Sequence, residues 1–308
     1  YKRIVDSSNF NFNKIEELPY LHIGLFKELN LKTIVPGIKH GRTLNSSSTS
    51  GKKPSSVLMD DLSSKLQSQS TKSIFNHEIG DRKRNLLILD SASSLRSKGI
   101  QAKIAAALSL KPFSKDIYFI LNQEGFLDSR KFTKAIEAEE EIIVYGFTWA
   151  VWQFFNSLQD KFKIKLKQKK VIVVHSGGWK KLENEKVSPE FFNNLILDSI
   201  KKGSQVIDYY GLVEQVGMIF TQCKEGRRHV PNWGGIVVRE TGSFKSVKDK
   251  VGQIKLLNLI SRGAPYHSVL TEDIGIQFSS LCDCGKKTPS FELIGRLQNA
   301  EQRGCSNV

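Results

Sequence analysis

The sequence predicts an α/β protein with a β-rich last third, and three observations carry that prediction. First, "VIVVHSGGWKK" (171–181), a helix start at Ser188-Pro189-Glu190, and "SQVIDYYG" (204–211) read strand, helix, strand. That succession within about 40 residues is a βαβ unit. Second, short unbroken apolar runs such as "NLLILD" (85–90) and "EIIVYG" (141–146) alternate with segments of helical spacing. Such runs are the pattern of strands buried on both faces. Third, from Gly211 onward short strands and Gly-rich turns ("GGIVVRETG", "VGQIKLLNLI") replace that alternation.

Taken in order, residues 14–30 ("KIEELPYLHIGLFKELN") predict a short helix broken near Pro19, then an apolar stretch. "LNSSSTSGKKPS" (44–55) follows, a run of hydroxyls closed by Gly, two Lys and Pro. Its composition suits a solvated linker. It equally suits a loop whose hydroxyls, N–H groups and Lys donate to phosphate oxygens. "SSVLMDDLSSKLQSQSTKSIFNHEI" reads as a strand entering an amphipathic helix, and "GIQAKIAAALSL" has mixed character. "DIYFILNQEG" (116–125) is a strand and turn, and "DSRKFTKAIEAEEE" (128–141) has helical spacing. One long helix is expected from about Thr148 to about Lys167. After the strand at 171, Ser188 caps a helix with Pro189 in its first turn, and Gly203 is expected to close it.

The 308 residues are 39 % hydrophobic and 25 % charged, an ordinary globular composition with enough chain for a large core. The longest apolar run, "IIVYGFTWAVW" (142–152), is too short to span a bilayer. Four unevenly spaced Cys suggest no disulfide framework, so a cytoplasmic protein is expected. The net charge of +15 attracts polyanions. Yet the Lys are spread along the chain, with "KFKIKLKQKK" (161–170) the densest run. Neither DNA-binding zinc-finger spacing nor an RNA-binding aromatic signature accompanies them, which argues against a dedicated nucleic-acid role.

Several short stretches can carry chemistry. Neither the G-x-x-x-x-G-K-[ST] loop nor G-x-G-x-x-G occurs. "YYGLVEQVG" (209–217) puts Glu214 just after a buried strand, at the sheet edge where α/β proteins bind ligands. A carboxylate there suits Mg²⁺; a solvated Glu on a surface turn is the plainer alternative. Gly177 and Gly178 beside Trp179 suit close approach of a flat ring to backbone, or an ordinary strand-to-loop turn. Asp273 in "TEDIG" suits a ribose diol, and Arg296 in "LIGRL" offers a forked cation. His175 is a candidate to act on a carboxylate, or to line or pack the pocket. The aromatic stretch 145–155 can line an acyl tunnel or form plain core.

In this order the pieces resemble the adenylate-forming enzymes. More closely, "LPYLHIGLFKELNL", "SSSTSGKKPS", "HSGGWKK", "YGLVEQ" and "GRLQNAEQRGCS" resemble the LuxE-type acyl-protein synthetases, relatives of phenylacetate–CoA ligase. The resemblance covers most of the chain. It implies the large N-terminal-type domain of that superfamily, layered sheets and helices, over residues 1–296, β-rich from about 211. A short segment, 297–308, would carry Cys305, with the small C-terminal domain absent or truncated and no catalytic Lys assignable.

The resemblance further implies ATP-dependent activation of a fatty acid, expected to be long-chain, as an acyl-adenylate and transfer to an enzyme cysteine thiol. By motif match Ser46, Ser47, Ser48, Thr49, Ser50, Gly51 and Lys52 would cradle phosphates. Gly177, Gly178, Trp179 and Tyr210 would border adenine, Glu214 would hold Mg²⁺, Asp273 the ribose and Arg296 the nucleotide. One departure is Ser48, where the superfamily loop usually has Gly. A reductase that takes the acyl group onward is the partner the resemblance suggests.

The cysteines divide into two groups. Cys223 and His229 form C-x5-H, and Cys282 and Cys284 form C-x-C before Gly285. Three Cys and one His complete a tetrahedral set for structural zinc, against scattered buried thiols. The C-x-C-G pair resembles one that binds zinc in relatives of phenylacetate–CoA ligase. Cys305 in "RGCS" lies outside that set. The resemblance makes it the acyl acceptor, and a thiolate beside Arg303 is a suitable nucleophile. Two alternatives stand beside this reading: an acyl–CoA ligase that leaves Cys305 idle, and a non-catalytic basic protein that binds nucleic acid.

Overall fold

The computed structural model describes residues 13–46, 54–96, 100–260 and 262–297. Its chain divides into two compact units, with boundaries within helix Asp61–Ile79 and at Tyr210–Gly211. One unit takes the described residues up to Ser70 and from Gly211 on; the other takes Thr71–Tyr210.

The Thr71–Tyr210 unit is built on parallel strands in the order Ser114–Leu121, Arg84–Ser91, Glu141–Phe147, Lys170–Ser176, Gln205–Tyr210. The middle strands are buried over most of their length, as their unbroken Val, Ile and Leu runs require. Ile142, Val144, Val171 and Val173 share one cluster with Phe132, Phe155, Phe162 and Ile196 from the helices. Helix Ser129–Glu137 starts where Asp128 accepts from Lys131 N at 3.1 Å. Helix Pro189–Asp198 starts where Ser188 Oγ accepts from Phe191 N at 3.2 Å. Both caps satisfy N–H groups that a helix start leaves without partners.

Two expectations need correction here. The helix expected over 148–167 is two helices, Thr148–Ser157 and Asp160–Leu166, with extended backbone at Leu158 and Gln159. No Gly or Pro marks the break. The turn lets Phe155, Leu158, Phe162 and Leu166 all bury in one core, and packing overrides helix propensity. Gly203 does not close the Pro189 helix, which ends at Asp198; it forms the turn into strand Gln205–Tyr210, with φ +88°.

The other unit holds an antiparallel hairpin, His40–Asn45 with Ser56–Asp60, whose base is closed by Ser46 N donating to Ser55 O at 2.9 Å. Its last third is an antiparallel sheet in the order Gly234–Arg239, Val251–Asn258, Ser268–Gln277, Ser290–Arg296. The predicted helix near Pro19 is a three-residue 3₁₀ turn, Ile15–Glu17; Leu21–His22 then pairs parallel with Val269–Leu270. Lys255 is wholly buried beneath that turn. Its Nζ donates to the carbonyls of Ile15 and Leu18 at 3.0 Å and of Glu16 at 3.3 Å. Arg239 also reaches Glu16 O. Among the described residues no helix is long and apolar enough to cross a membrane.

Candidate functional site

In the parallel-sheet unit the register sets Gly146 beside His175 and His175 beside Asp208, at the strands' C-terminal edge. His175 is buried, with Nδ1 3.0 Å from Thr148 Oγ1 and 3.9 Å from Asp208 Oδ1. Its ring lies 4.8 Å from that of Phe192. The chain then turns through Gly177, whose φ of +75° is a left-handed conformation that glycine adopts without a Cβ penalty. Thr148 Oγ1 is 2.6 Å from Gly177 O. Trp179 is buried, edge-on to Trp152 at 5.4 Å and to Phe192 at 6.0 Å. Its indole therefore belongs to the core.

Tyr210 ends the neighbouring strand and is buried. Tyr209, before it, meets Tyr145 hydroxyl to hydroxyl at 3.2 Å. Of the two readings of the aromatic stretch 145–155, its packing fits plain core: Phe154 lies edge-on to Phe155 and to Phe132.

In the other unit, Glu214 sits in the turn after Gly211 and is buried rather than solvated. That turn is pinned from several directions. Gln215 Nε2 donates to Tyr266 O and Asn258 Nδ2 to Val216 O, both at 2.9 Å. Gly217 O accepts from Ser70 Oγ at 3.0 Å, and a Cβ on Gly217 would lie 2.7 Å from that hydroxyl. Gln215 and Asn258 escaped the sequence reading, because amides that bond distant backbone leave no local pattern.

Asp273 is wholly buried, directly opposite Arg296 on the adjacent strand, and Arg296 Nε donates to its Oδ1 at 2.8 Å. The structure thus joins two residues that the sequence reading assigned separately to ribose and nucleotide. Ser46 Oγ accepts from Ser55 N at 2.8 Å, next to the paired ends of strands His40–Asn45 and Ser56–Asp60. Ser47, Ser48, Thr49, Ser50, Gly51 and Lys52 lie outside the described residues, as does Cys305.

Cys223, His229, Cys282 and Cys284 converge with all four ligand atoms within 4.8 Å of one another. Cys223 Sγ and Cys282 Sγ are 3.7 Å apart, and Cys284 Sγ is 3.2 Å from His229 Nε2. Thr288 Oγ1 lies 3.3 Å from the other ring nitrogen, Nδ1, and orients the imidazole. Burial, with the neighbouring thiols, pushes the Cys282 thiol up to about 11.

Comparison with known proteins adds the following. The family model described as acyl-protein synthetase, LuxE, matches residues 2–308. A long-chain-fatty-acid–luciferin-component ligase of Aliivibrio fischeri is 26 % identical over 176 residues, covering 55 % of this chain and 45 % of that protein. Among solved structures, a 2-hydroxyisobutyryl-CoA ligase in its postadenylation state superposes with a TM-score of 0.66 at 12 % identity, over 93 % of this chain and 60 % of that one. ATP-bound MatB from Rhodopseudomonas palustris gives 0.53 at 12 % identity, over 82 % and 47 %. The chain spans about half the length of the curated relative. The structural likenesses establish an α/β fold shared with adenylate-forming ligases.

Proposed function

The chain belongs to the LuxE family of acyl-protein synthetases, and from that premise we propose that it activates a long-chain fatty acid with ATP and passes the acyl group to Cys305. The family match across residues 2–308 is the observation that carries this reading. The curated relative, named for a long-chain fatty acid, supports the substrate class.

In the first step a carboxylate oxygen attacks the α-phosphate of ATP, forming the acyl–phosphate bond and expelling pyrophosphate. In the second the Cys305 thiolate attacks the acyl carbon, and AMP leaves with the electron pair. Charge develops on phosphate oxygens, so the protein's part is to place donors around them. The Gly177–Gly178 backbone suits close approach of the nucleotide. Asp273, which accepts from Arg296 Nε, is the residue for the ribose in this reading, and Arg296 the cation for the nucleotide. The residues of the Ser46–Lys52 stretch supply hydroxyls and a cation for the phosphates. Glu214 would hold Mg²⁺, which would screen phosphate charge.

The thiol and imidazole cluster suits structural zinc. Tetrahedral ligands at a Zn–S distance of about 2.3 Å stand about 3.8 Å apart. The 3.7 Å between Cys223 and Cys282 matches that edge. The cluster would tie the 223–229 hairpin to the 282–284 turn. A fatty-acid reductase that takes the acyl group onward completes the reading.

Carboxylate-dependent ATP–pyrophosphate exchange across short, medium and long acids tests the first step. Exchange with long chains supports it, and no exchange with any acid defeats it. Cys305→Ser should then keep exchange and lose covalent acylation. Thioester formation on coenzyme A by that variant would favour an acyl–CoA ligase instead.

A further inference from the structure

A hydroxyl at the start of helix Thr148–Ser157 reaches across to the exit of the neighbouring strand. Thr148 directly follows strand Glu141–Phe147, and Phe147 pairs with Ser176. Its Oγ1 is buried among three polar atoms: Gly177 O at 2.6 Å, Ser176 O at 3.3 Å and His175 Nδ1 at 3.0 Å. A hydroxyl has one proton to give and two lone pairs. Carbonyl oxygens only accept, so the proton goes to a carbonyl, and Gly177 O is the nearer. The hydroxyl then meets His175 Nδ1 with a lone pair, and an unprotonated nitrogen 3.0 Å away would face it with another. The imidazole proton must therefore sit on Nδ1. Asp208 Oδ1, 3.9 Å from the same nitrogen and on the strand beyond, favours it there by charge.

We propose that Thr148 is a positioning residue for the Gly177–Gly178 turn, donating to Gly177 O while accepting from His175 Nδ1 and so holding His175 as its Nδ1–H tautomer. A strand exit with two glycines has more backbone freedom than any other pair would leave it. Tying the Gly177 carbonyl to Thr148 removes that freedom at the residue with φ +75°. The tie keeps the following backbone in one arrangement without contributing a contact to the reacting atoms. His175, buried against Phe192, acts through Thr148 and the turn rather than on the substrate. The value of this clamp to catalysis rests on the reading that the turn borders the nucleotide; the tautomer rests on geometry alone.

The test is ¹⁵N NMR of the imidazole rings in the full chain labelled at histidine, with His175 assigned among six His by its loss in His175→Gln. The wild type should show His175 protonated at Nδ1. Thr148→Val should lose that single tautomer and raise the KM for ATP about tenfold, with kcat less affected. Thr148→Ser, which keeps the hydroxyl, should retain the tautomer and recover most of the KM. A wild-type His175 protonated at Nε2, or the Nδ1–H form surviving in Thr148→Val, would overturn the clamp. An unchanged KM in a Thr148→Val protein that has lost the tautomer would overturn the positioning role. Should Thr148→Val fail to fold, the wild-type and Thr148→Ser spectra still decide the tautomer. An Nδ1–H wild type with no pyrophosphate exchange would defeat the ligase reading and leave the clamp standing.

Discussion

Strands Arg84–Ser91, Glu141–Phe147 and Lys170–Ser176 of the parallel sheet are packed mainly by aliphatic and aromatic side chains. The antiparallel sheet of the other unit instead buries Gln253, Lys255, Asn258, Thr271 and Asp273. The difference follows from what each sheet must hold. Helices that cover the parallel sheet satisfy their own backbone. The segments at 15–18 and 211–217 are irregular, so their carbonyls need partners from elsewhere. Lys255 supplies them to the first and Asn258 to the second. The strands of one unit pack mainly by shape, while the sheet of the other also uses buried side chains as donors to irregular backbone.

The largest test of that contrast is the Cys–His cluster. Zinc removal by a chelator, or Cys282→Ser, should abolish hydrogen-exchange protection across 223–297 while 71–210 keeps its own. Structural zinc contributes on the order of 10 kcal/mol in small domains, so the loss should be large. Equal loss in both units would break the comparison.

On the apolar side, Phe132 is wholly buried and edge-on to Phe154 and Phe162. Phe132→Ala should cost about 3–5 kcal/mol by urea denaturation. The loss should not depend on pH.

Lys255 sharpens the contrast, because its effect should depend on pH. Burial, then the Arg239 charge, lower its pKa to about 8 against the attraction of Glu16. Between about 8 and the unfolded value of 10.5 the unfolded chain holds the extra proton. Stability should therefore rise with pH across that window, by at most about 1.4 kcal/mol per pH unit. Lys255→Met keeps the volume, removes a donor from three carbonyls, of which Glu16 O keeps Arg239 and Ile15 O keeps Leu18 N, and should cost about 1–3 kcal/mol near neutrality. It should also erase the rise, and a Lys255→Met protein with the same pH slope would refute the assignment. The smallest effect is expected at the exposed Lys115–Glu139 pair, 2.6 Å apart, where Lys115→Met should leave Tm unchanged.

Much of the α/β unit was legible before any coordinates. Val171–His175 and Val206–Tyr210 are β-branched or aromatic runs, and Ser188-Pro189 announces its helix, since all three signals are local. The break at Leu158 was not legible, because what bends the chain there is a core assembled from Phe132, Phe162 and Ile196, far apart in sequence. The site divides in the same way. The C-x-C and C-x5-H spacings marked the cluster, and the YGLVEQ turn marked Glu214. That Glu214 is buried, that Trp179 is core, and that Thr148 holds the Gly177 carbonyl were invisible.

By itself, then, the sequence determined the alternation of strands and helices, the glycine turns and the residue types able to bind metal or phosphate. Those follow from side-chain period, backbone freedom and ligand chemistry, each a property of a few neighbouring residues. Only the tertiary structure decided which groups meet. It set Asp273 opposite Arg296, joined Ser46 to Ser55, and gathered the ligand atoms of Cys223, His229, Cys282 and Cys284 within 4.8 Å of one another. Strand register and burial bring those atoms together across tens of residues of chain, and no local pattern encodes a distance.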